Sequence, residues 1–311
     1  MPNGQEISES GALWDSCSKN PGHEEFIPVH EFTGKHLARG MNDELFCEEL
    51  HVLADLVVRF RVQWTSVHRP DGDSYSEYRG TNRLRCGSGY VECSTLSGPK
   101  QGQPEMPGVT KSTVGGNIAK NYWTFMVSTA SHVVYDTEEA NYTKIDFFYD
   151  NDESCVLKGS MKTVRPIKVV QSSPKADVCQ VLCATDDKSL AKRIKAIDKY
   201  LRAHRLIYHK GMRNIVPNFI IKGLYSSSAN AIIISHPHGQ PKKITVGRVV
   251  HSVGGLTFKY KAATCPGSSG APLFLVDTLY FPPWLGHTHT GSLSQTPTEQ
   301  INYCNSLGYF L

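Results

Sequence analysis

The sequence predicts a mainly β protein, built as a barrel or a sandwich. Short stretches of alternating apolar and polar residues recur along most of the chain, and turn residues separate them every 8 to 12 residues or so, which is about the spacing of such folds. The clearest stretch alternates Val58, Phe60 and Val62 with arginine and glutamine. Two regions break the pattern with helical spacing, one near the start of the chain and one in its middle.

The predicted elements begin with a loosely ordered extension, because residues 1 to about 35 are rich in glycine, serine, proline and charge. Apolar residues then recur at helical spacing from Met41 to about Leu56, which predicts an amphipathic helix. The segment Leu96–Gly116 has no periodicity and predicts a long insertion. The predicted strands are Val58–Trp64, Cys86–Thr95, Trp123–Thr129, Lys144–Tyr149, Ile167–Val170, Val178–Cys183, a strand from Phe219, Ala231–Ile234, Ile244–His251, Leu256–Lys261, Leu273–Val276 and Gly286–Ser292.

A second helix is predicted over Lys188–Lys210, where Leu190, Ile194 and Ile197 recur at helical spacing. Its other face carries several lysines and arginines, which are typical either of a solvated face or of a surface for nucleic acid or acidic lipid. The net charge of the 311-residue chain is only +4, which favours the solvated face. We therefore expect no nucleic-acid partner.

Composition indicates one soluble intracellular unit. No apolar run reaches the ~18 residues of a membrane-spanning helix, and the first residues lack the basic start and apolar stretch of a signal peptide. The nine cysteines are an odd number without a C-x-x-C pair, which favours reduced thiols. These features predict a cytoplasmic location and no membrane partner.

The most informative segment is T-C-P-G-S-S-G-A-P-L-F, which runs from Thr264 to Phe274. Gly267 and Gly270 flank Ser269 and allow backbone angles that residues with a Cβ avoid, which favours a sharp turn. A turn of this kind presents the serine and can aim successive backbone N–H groups at one point, where they hold a developing negative charge. The segment therefore predicts a nucleophilic serine.

Such a serine needs a base and a carboxylate that orients the base. His132 ends the apolar run W-T-F-M-V-S-T-A-S-H, and the small residues before it let the imidazole turn into a cleft. Asp177 leads into the apolar run V-C-Q-V-L-C. Asp146, Asp150 and Asp152 are alternatives for the carboxylate, and they lie nearer to the histidine in the sequence.

The order and spacing of these residues resemble the trypsin/chymotrypsin superfamily of serine proteases, the PA clan. T-A-S-H resembles the family motif T-A-A-H, G-S-S-G-A-P resembles G-D-S-G-G-P, and A-D-V-C-Q-V-L resembles the acid-bearing strand D-I-A-L-L. C-G-S-G-Y-V (Cys86 to Val91) and I-S-H-P-H-G-Q-P-K-K-I-T-V-G-R-V (Ile234 to Val249) resemble a strand before the histidine and a hairpin before the nucleophile, especially in intracellular and bacterial branches. The resemblance covers roughly Leu53 to Leu293.

This resemblance implies two six-stranded antiparallel β-barrels of chymotrypsin type, with an N-terminal helix and an inter-barrel helix. Residues 1–52 would form the extension with its helix, residues 53–187 the first barrel with His132 and Asp177, and residues 188–212 the linker helix. Residues 213–311 would form the second barrel with Ser269, followed by a C-terminal tail.

The resemblance also implies a serine endopeptidase that hydrolyses peptide or protein substrates. Ser269 would attack the peptide carbonyl, His132 would act as general base and then general acid, and Asp177 would orient the histidine. The backbone N–H groups of Gly267 and Ser269 would form the oxyanion hole. This chemistry needs no metal or organic cofactor.

The implied substrate pocket lies on the segment from Trp284 to Ser292, with Gly291 at its mouth, and on Thr264 before the nucleophile. Because the residues from Lys259 to Thr264 include no acid, we expect a preference other than the trypsin-like one for Lys or Arg. In glutamyl endopeptidases and picornaviral proteases a histidine on this strand helps to bind Glu or Gln. His287 or His289 would take that role, or Thr288 would face the pocket if the register differed by one residue.

No metal site is predicted. His236 and His238 flank Pro237, which indicates a hairpin bend, and Cys179 and Cys183 lie four residues apart in a strand-like run with poor geometry for a metal.

Secreted family members carry an acid just before the nucleophile, where this chain has Ser268, so the activating ion pair with a new N-terminus cannot form in that way.

Three other functions stay open. A catalytically inactive protease-fold protein used for binding or as a scaffold would keep the fold and lose the geometry. A viral polyprotein-type protease is possible, although no basic or membrane-linked flank supports it. An α/β-hydrolase is the least favoured alternative, because Ala271 breaks the G-x-S-x-G pattern and too few residues follow Ser269 to supply the acid and the histidine in the order of that fold.

Overall fold

The structure is a computed structural model that describes residues 14–37, 44–102, 121–152, 161–212, 230–253, 257–276, 287–296 and 299–305. Its strands are β1 (Ile27–Pro28), β2 (Val57–Val62), β3 (Arg85–Gln101), β4 (Asn121–Thr129), β5 (Thr143–Phe147), β6 (Lys162–Ser173), β7 (Val178–Thr185), β8 (Asn230–Ser235), β9 (Lys243–Val253), β10 (Thr257–Tyr260), β11 (Leu273–Val276), β12 (Thr288–Thr296) and β13 (Glu299–Asn305). Its α-helices are α1 (Glu44–Ala54), α2 (Thr137–Asn141) and α3 (Lys188–Met212).

The first sheet is a closed barrel of six antiparallel strands in the order β2-β3-β4-β7-β6-β5. Alternation along β2 explains how it forms: Val58, Phe60 and Val62 are buried in the barrel core, and Arg59 and Arg61 are half-buried on the other side. A strand with this period fits a curved sheet that has one apolar face.

The second sheet has six strands in the order β11-β8-β9-β10-β13-β12. Its two end strands meet just before β11, where Pro272 bridges Thr288 and the N–H of His289 donates to the carbonyl of Ala271 at 2.8 Å. The strand order thus closes on itself, and the predicted architecture of two six-stranded antiparallel barrels is confirmed. The short β1 pairs with β9 as a seventh strand, with Ile27 opposite Ile244.

Both long helices bury apolar residues in the large hydrophobic cluster that includes the core of the first barrel. Leu190, Ile194 and Ile197 of α3 lie in this cluster, as do Phe46 and Leu50 of α1. The two helical patterns in the sequence are therefore confirmed, because each buries the stripe that predicted it. Over the described parts of the chain, we find no helix with the length and apolar character needed to cross a membrane.

Three predictions differ from the structure. Residues 14–37 of the predicted loose extension are docked on the second barrel through β1 and short 3₁₀ turns. The predicted insertion starts too early, because β3 continues to Gln101 and Lys100 pairs with Tyr122. Strand β13 was missed, since alternation is weak over its polar sequence. The rest of the insertion, residues 103–116, and the strand predicted from Phe219 lie outside the described residues.

Candidate active site

His132 lies in the turn that follows β4, and a buried ion-pair cluster holds its backbone. Arg69 donates to the His132 carbonyl at 2.9 Å and to both carboxylate oxygens of Glu139, at 2.6 and 2.7 Å. Glu139 also accepts from the N–H of Tyr135 and pairs with Arg85. Burial alone would raise the pKa of Glu139, but the hydrogen bond from Arg69 and the two guanidinium charges outweigh burial and hold it below its usual range.

Asp177 lies in the turn between β6 and β7 and bonds directly to the histidine. Its Oδ2 is 2.7 Å from His132 Nδ1, and its Oδ1 accepts from the His132 N–H at 2.9 Å and from Ser131 Oγ at 2.8 Å. The Asp177 backbone is left-handed, with φ of 53°, a conformation that costs energy in a residue other than glycine. The carboxylate fixes the Nδ1–H tautomer, which leaves Nε2 as a base.

The alternative acids of the sequence have other partners. Asp146 is paired with Arg59 and Arg61. Asp150 is paired with Lys242 at 2.8 Å, and Asp152 accepts from the hydroxyl of Tyr149 at 3.2 Å. Of these carboxylates, the described contacts place only Asp177 against His132.

Ser269 lies on the second barrel, in a turn that packs against the first. The Ser88 N–H of β3 donates to the Ser269 carbonyl at 2.8 Å, and Ser88 Oγ donates to the Gly267 carbonyl at 2.8 Å. Gly270 has a φ of 88°, and a Cβ there would overlap the Ser88 carbonyl and the hydroxyl of Thr129. A glycine is thus required for the Ser269 turn to lie against the turn that leads to His132.

The candidate nucleophile and its candidate base are both buried. Ser269 is 0% exposed and His132 is 2% exposed. Ser269 Oγ is 3.5 Å from the Thr290 carbonyl. Among the described residues, His132 Nε2 has no hydrogen-bond partner, so the Ser269–His132 hydrogen bond expected of a working pair is not formed here.

Two backbone donors of the Ser269 turn have no backbone acceptor within the described part of the chain. The N–H groups of Ser268, Gly270 and Ala271 are each bonded within the second barrel. Those of Gly267 and Ser269 are not, and these are the two donors that the family resemblance implies for an oxyanion hole. Gly267 has a φ of 95°, a backbone conformation that favours glycine and forms the turn before Ser269.

The predicted pocket residues lie on β12 and beside it. His289 is buried, and its Nδ1 is 2.6 Å from the hydroxyl of Tyr260. Burial, with the charge of Lys19 adding to it, lowers the pKa of His289 to about 3. The His287 ring packs edge-on against Phe258 at 4.8 Å between ring centroids. Thr288 and Gly291 are buried on the same strand.

Thr264 belongs to a polar group that sequence reasoning missed. Lys19 Nζ donates to Thr264 Oγ1 at 3.0 Å and to Ser292 Oγ at 2.6 Å. Both hydroxyls donate to the same amide oxygen of Asn302, at 3.0 and 2.5 Å. Nothing local in the sequence indicates these residues, because Lys19 lies in the segment interpreted as loose and Asn302 lies on the missed strand β13.

No known protein family matches this chain by sequence, and no curated protein matches it. Among solved structures, the active form of the Rv3671c protease from M. tuberculosis is similar with 13% identity and a TM-score of 0.43, over 84% of this chain and 79% of that one. The serine endoprotease from Yersinia pestis is similar with 16% identity and a TM-score of 0.42, over 84% of this chain and 62% of that one. These likenesses are too distant to transfer a residue role to this chain.

Proposed function

We propose that this chain is a serine endopeptidase with Ser269 as nucleophile, His132 as general base and acid, and Asp177 as the orienting carboxylate. The observation that carries the proposal is the Asp177–His132 pair, bonded at 2.7 Å, at the interface where the Ser269 turn packs. The base, the orienting carboxylate and the nucleophile that acyl transfer requires would thus come from three separate segments.

The proposed reaction is acyl transfer through Ser269. Ser269 Oγ attacks the peptide carbonyl carbon as its proton moves to His132 Nε2, and the Asp177 carboxylate stabilises the imidazolium. The N–H groups of Gly267 and Ser269 hold the oxyanion. The imidazolium then protonates the leaving amine, the C–N bond breaks, and water hydrolyses the acyl-enzyme through the same steps in reverse.

Glu and Gln are the side chains that we propose for the residue before the cleaved bond. The hydroxyl of Tyr260 lies 2.6 Å from His289 Nδ1, and the lowered pKa keeps this imidazole neutral at pH 7, the state in which a histidine suits an amide as well as a carboxylate. The Lys19 ammonium beside Thr264 adds a charge that favours the carboxylate. Lys19→Met should therefore lower kcat/KM for Glu relative to Gln about tenfold or more, measured on matched peptides.

The test of the activity itself is digestion of a peptide mixture, with products identified by mass spectrometry. Ser269→Ala should keep the fold and lose cleavage by about 10⁴-fold or more. Ser268→Ala is the matched control, because its Oγ contacts Ser235 and the N–H of Cys265, and it should keep activity within about tenfold of the parent. Cleavage retained in Ser269→Ala would overturn the assignment.

A second candidate function is binding by an inactive protease fold. The burial of Ser269 and His132, together with the unbonded His132 Nε2, specifically favours it. It predicts a folded chain that binds peptides with equal affinity in the parent and in Ser269→Ala and cleaves none. Cleavage by the parent would exclude it.

A further inference from the structure

Four metal-binding side chains meet where the N-terminal segment lies on the second barrel. Cys17 and His23 come from that segment, His238 from the bend between β8 and β9, and Cys265 from the start of the Ser269 turn. Their ligand atoms all lie within 4.8 Å of one another, and all four side chains are buried except Cys17, which is half-buried. None of them takes part in the proposed peptide hydrolysis.

Two distances within this cluster match the edges of a tetrahedral metal site. Cys17 Sγ is 3.6 Å from Cys265 Sγ, and Cys265 Sγ is 3.4 Å from His23 Nε2. Tetrahedral zinc with Zn–S of about 2.3 Å and Zn–N of about 2.0–2.1 Å gives S···S edges of about 3.8 Å and S···N edges of about 3.5 Å. A disulfide would need the two sulfurs about 2.05 Å apart, and both cysteines are free.

His238 gives an independent indication of a ligand. It is 1% exposed, and neither of its ring nitrogens has a hydrogen-bond partner among the described residues. Burying an imidazole in this state costs free energy, because its nitrogens lose their hydrogen bonds to water and no described protein group replaces them. A metal ion at the centre of the cluster would satisfy one of these nitrogens.

The surroundings suit thiolate ligands. Asn20 donates from its backbone N–H to Cys17 Sγ at 3.4 Å and from its side-chain amide to Cys265 Sγ at 3.0 Å. Trp14 stacks on His23 with ring centroids 3.6 Å apart, and Phe26 packs edge-on against the same histidine. Donors to the ligand atoms and an apolar wall are the outer layer that a metal centre requires.

We propose that Cys17, His23, His238 and Cys265 form a structural zinc site. Two thiolates and two imidazoles in a tetrahedral arrangement suit Zn²⁺ better than the hard cations Mg²⁺ and Ca²⁺. Because four protein ligands fill the coordination sphere, the ion would hold structure and would not bind substrate. The hairpin-bend interpretation of His238 is confirmed, and the bend also presents a ligand.

The site would connect the N-terminal segment to the catalytic turn. Cys265 lies two residues before Gly267, and the His238 N–H donates to the carbonyl of Pro266 at 2.5 Å. Zinc would therefore fix the backbone that carries the proposed oxyanion donors, and it would fix Lys19 beside the pocket. The proposal does not depend on peptidase activity, because its readouts are metal content and stability.

The test is metal analysis of the full-length chain, expressed with zinc and purified without chelator. We expect about one zinc per chain in the parent, and less than about a tenth of that in Cys17→Ser and His23→Ala. The controls are Cys183→Ser, a buried thiol in the first barrel, and His30→Ala, an exposed histidine of the same segment, and both should keep the ion. Since Cys17 is only half-buried, Cys17→Ser should fold even if Cys265→Ser does not.

Two further measurements complete the test. Co²⁺ added to the metal-free parent should give the visible absorption of tetrahedral thiolate coordination, which Cys17→Ser should lack. A chelator should lower the Tm of the parent and leave that of Cys17→Ser unchanged. A folded parent with free thiols that takes up neither metal, or peptide mapping that finds a Cys17–Cys265 disulfide, would overturn the proposal. If the chain binds zinc but cleaves no peptide, the zinc site is supported and only the peptidase proposal is contradicted.

Discussion

The two halves of the candidate active site are held in different ways. The acid–base half lies within the first barrel, where Asp177 makes two hydrogen bonds to His132 and one to Ser131 of the same turn, and Arg69 fixes the His132 carbonyl. The nucleophile half lies on the second barrel, where bonds from Ser88 fix the turn of Ser269 but leave its Oγ 3.5 Å from a carbonyl. The comparison indicates that the proposed base is held by its own barrel, and that a hydrogen bond to it would require Ser269 Oγ to move away from the Thr290 carbonyl.

The largest effect is expected from breaking the acid–base half. Asp177→Asn should lower kcat by about 10⁴-fold, because an amide favours the wrong imidazole tautomer. Asp152→Asn is the matched control, since Asp152 is exposed and accepts a hydrogen bond from Tyr149, and its kcat should stay within about threefold of the parent. Steady-state peptide cleavage by both variants checks this. An equal loss in the two variants would contradict the role of Asp177.

The next effect concerns the support behind His132. Glu139→Gln leaves Arg69 and Arg85 buried without their carboxylate, and should lower the free energy of unfolding by about 3–5 kcal/mol. Glu77→Gln, at an exposed position, should change it by less than about 0.5 kcal/mol. Urea unfolding of both variants measures the difference. A loss below about 1 kcal/mol in Glu139→Gln would show that the cluster does not hold the acid–base half.

A smaller effect is expected at the contact between the halves. Ser88 Oγ donates to the Gly267 carbonyl and accepts from the N–H of His236, each at 2.8 Å. Ser88→Ala leaves two buried backbone groups unpaired and should lower the free energy of unfolding by about 1–3 kcal/mol. Ser94→Ala, at an exposed position of the same strand, is the control for urea unfolding. An unchanged value in Ser88→Ala would mean that other contacts set the approach of the two turns.

The smallest effect concerns a residue outside both halves, Glu49 of α1. It tests whether this buried carboxyl makes the free energy of unfolding depend on pH. Burial raises the pKa of Glu49 on α1 to about 7. Below the unfolded pKa of about 4.3 the carboxyl is neutral in both states and does not destabilise the fold. As the pH rises from there to about 7, the fold becomes less stable, because the unfolded chain ionises this group and the folded chain does not. Glu49→Gln should raise the free energy of unfolding by about 1–2 kcal/mol at pH 8, and by much less at pH 4. The same gain at both pH values would contradict the raised pKa.

Sequence predicted the parts of this molecule whose signals are local. Alternation placed β2, and helical spacing placed α3, because each element carries its buried face within its own residues. The turn of Ser269 was indicated by Gly267 and Gly270, whose positive φ only glycine adopts readily. Those signals need no knowledge of the tertiary structure.

The missed parts depend on contacts between distant segments. Lys19 reaches Thr264, and Cys17 reaches Cys265, across almost the whole chain. No periodicity or spacing within the segment around Lys19 indicates which surface it will cover, since its own sequence is polar and rich in turn residues. The short β1 likewise exists only because β9 offers it an edge.

The most direct measurement of the central claim is reaction of the folded full-length chain with a fluorophosphonate, with the adduct located by mass spectrometry. An activated nucleophile predicts one adduct, on Ser269, and its loss in His132→Ala. This result would show that the serine reaches the histidine. A folded sample without an adduct, or an adduct that persists in His132→Ala, would contradict the claim that His132 activates Ser269.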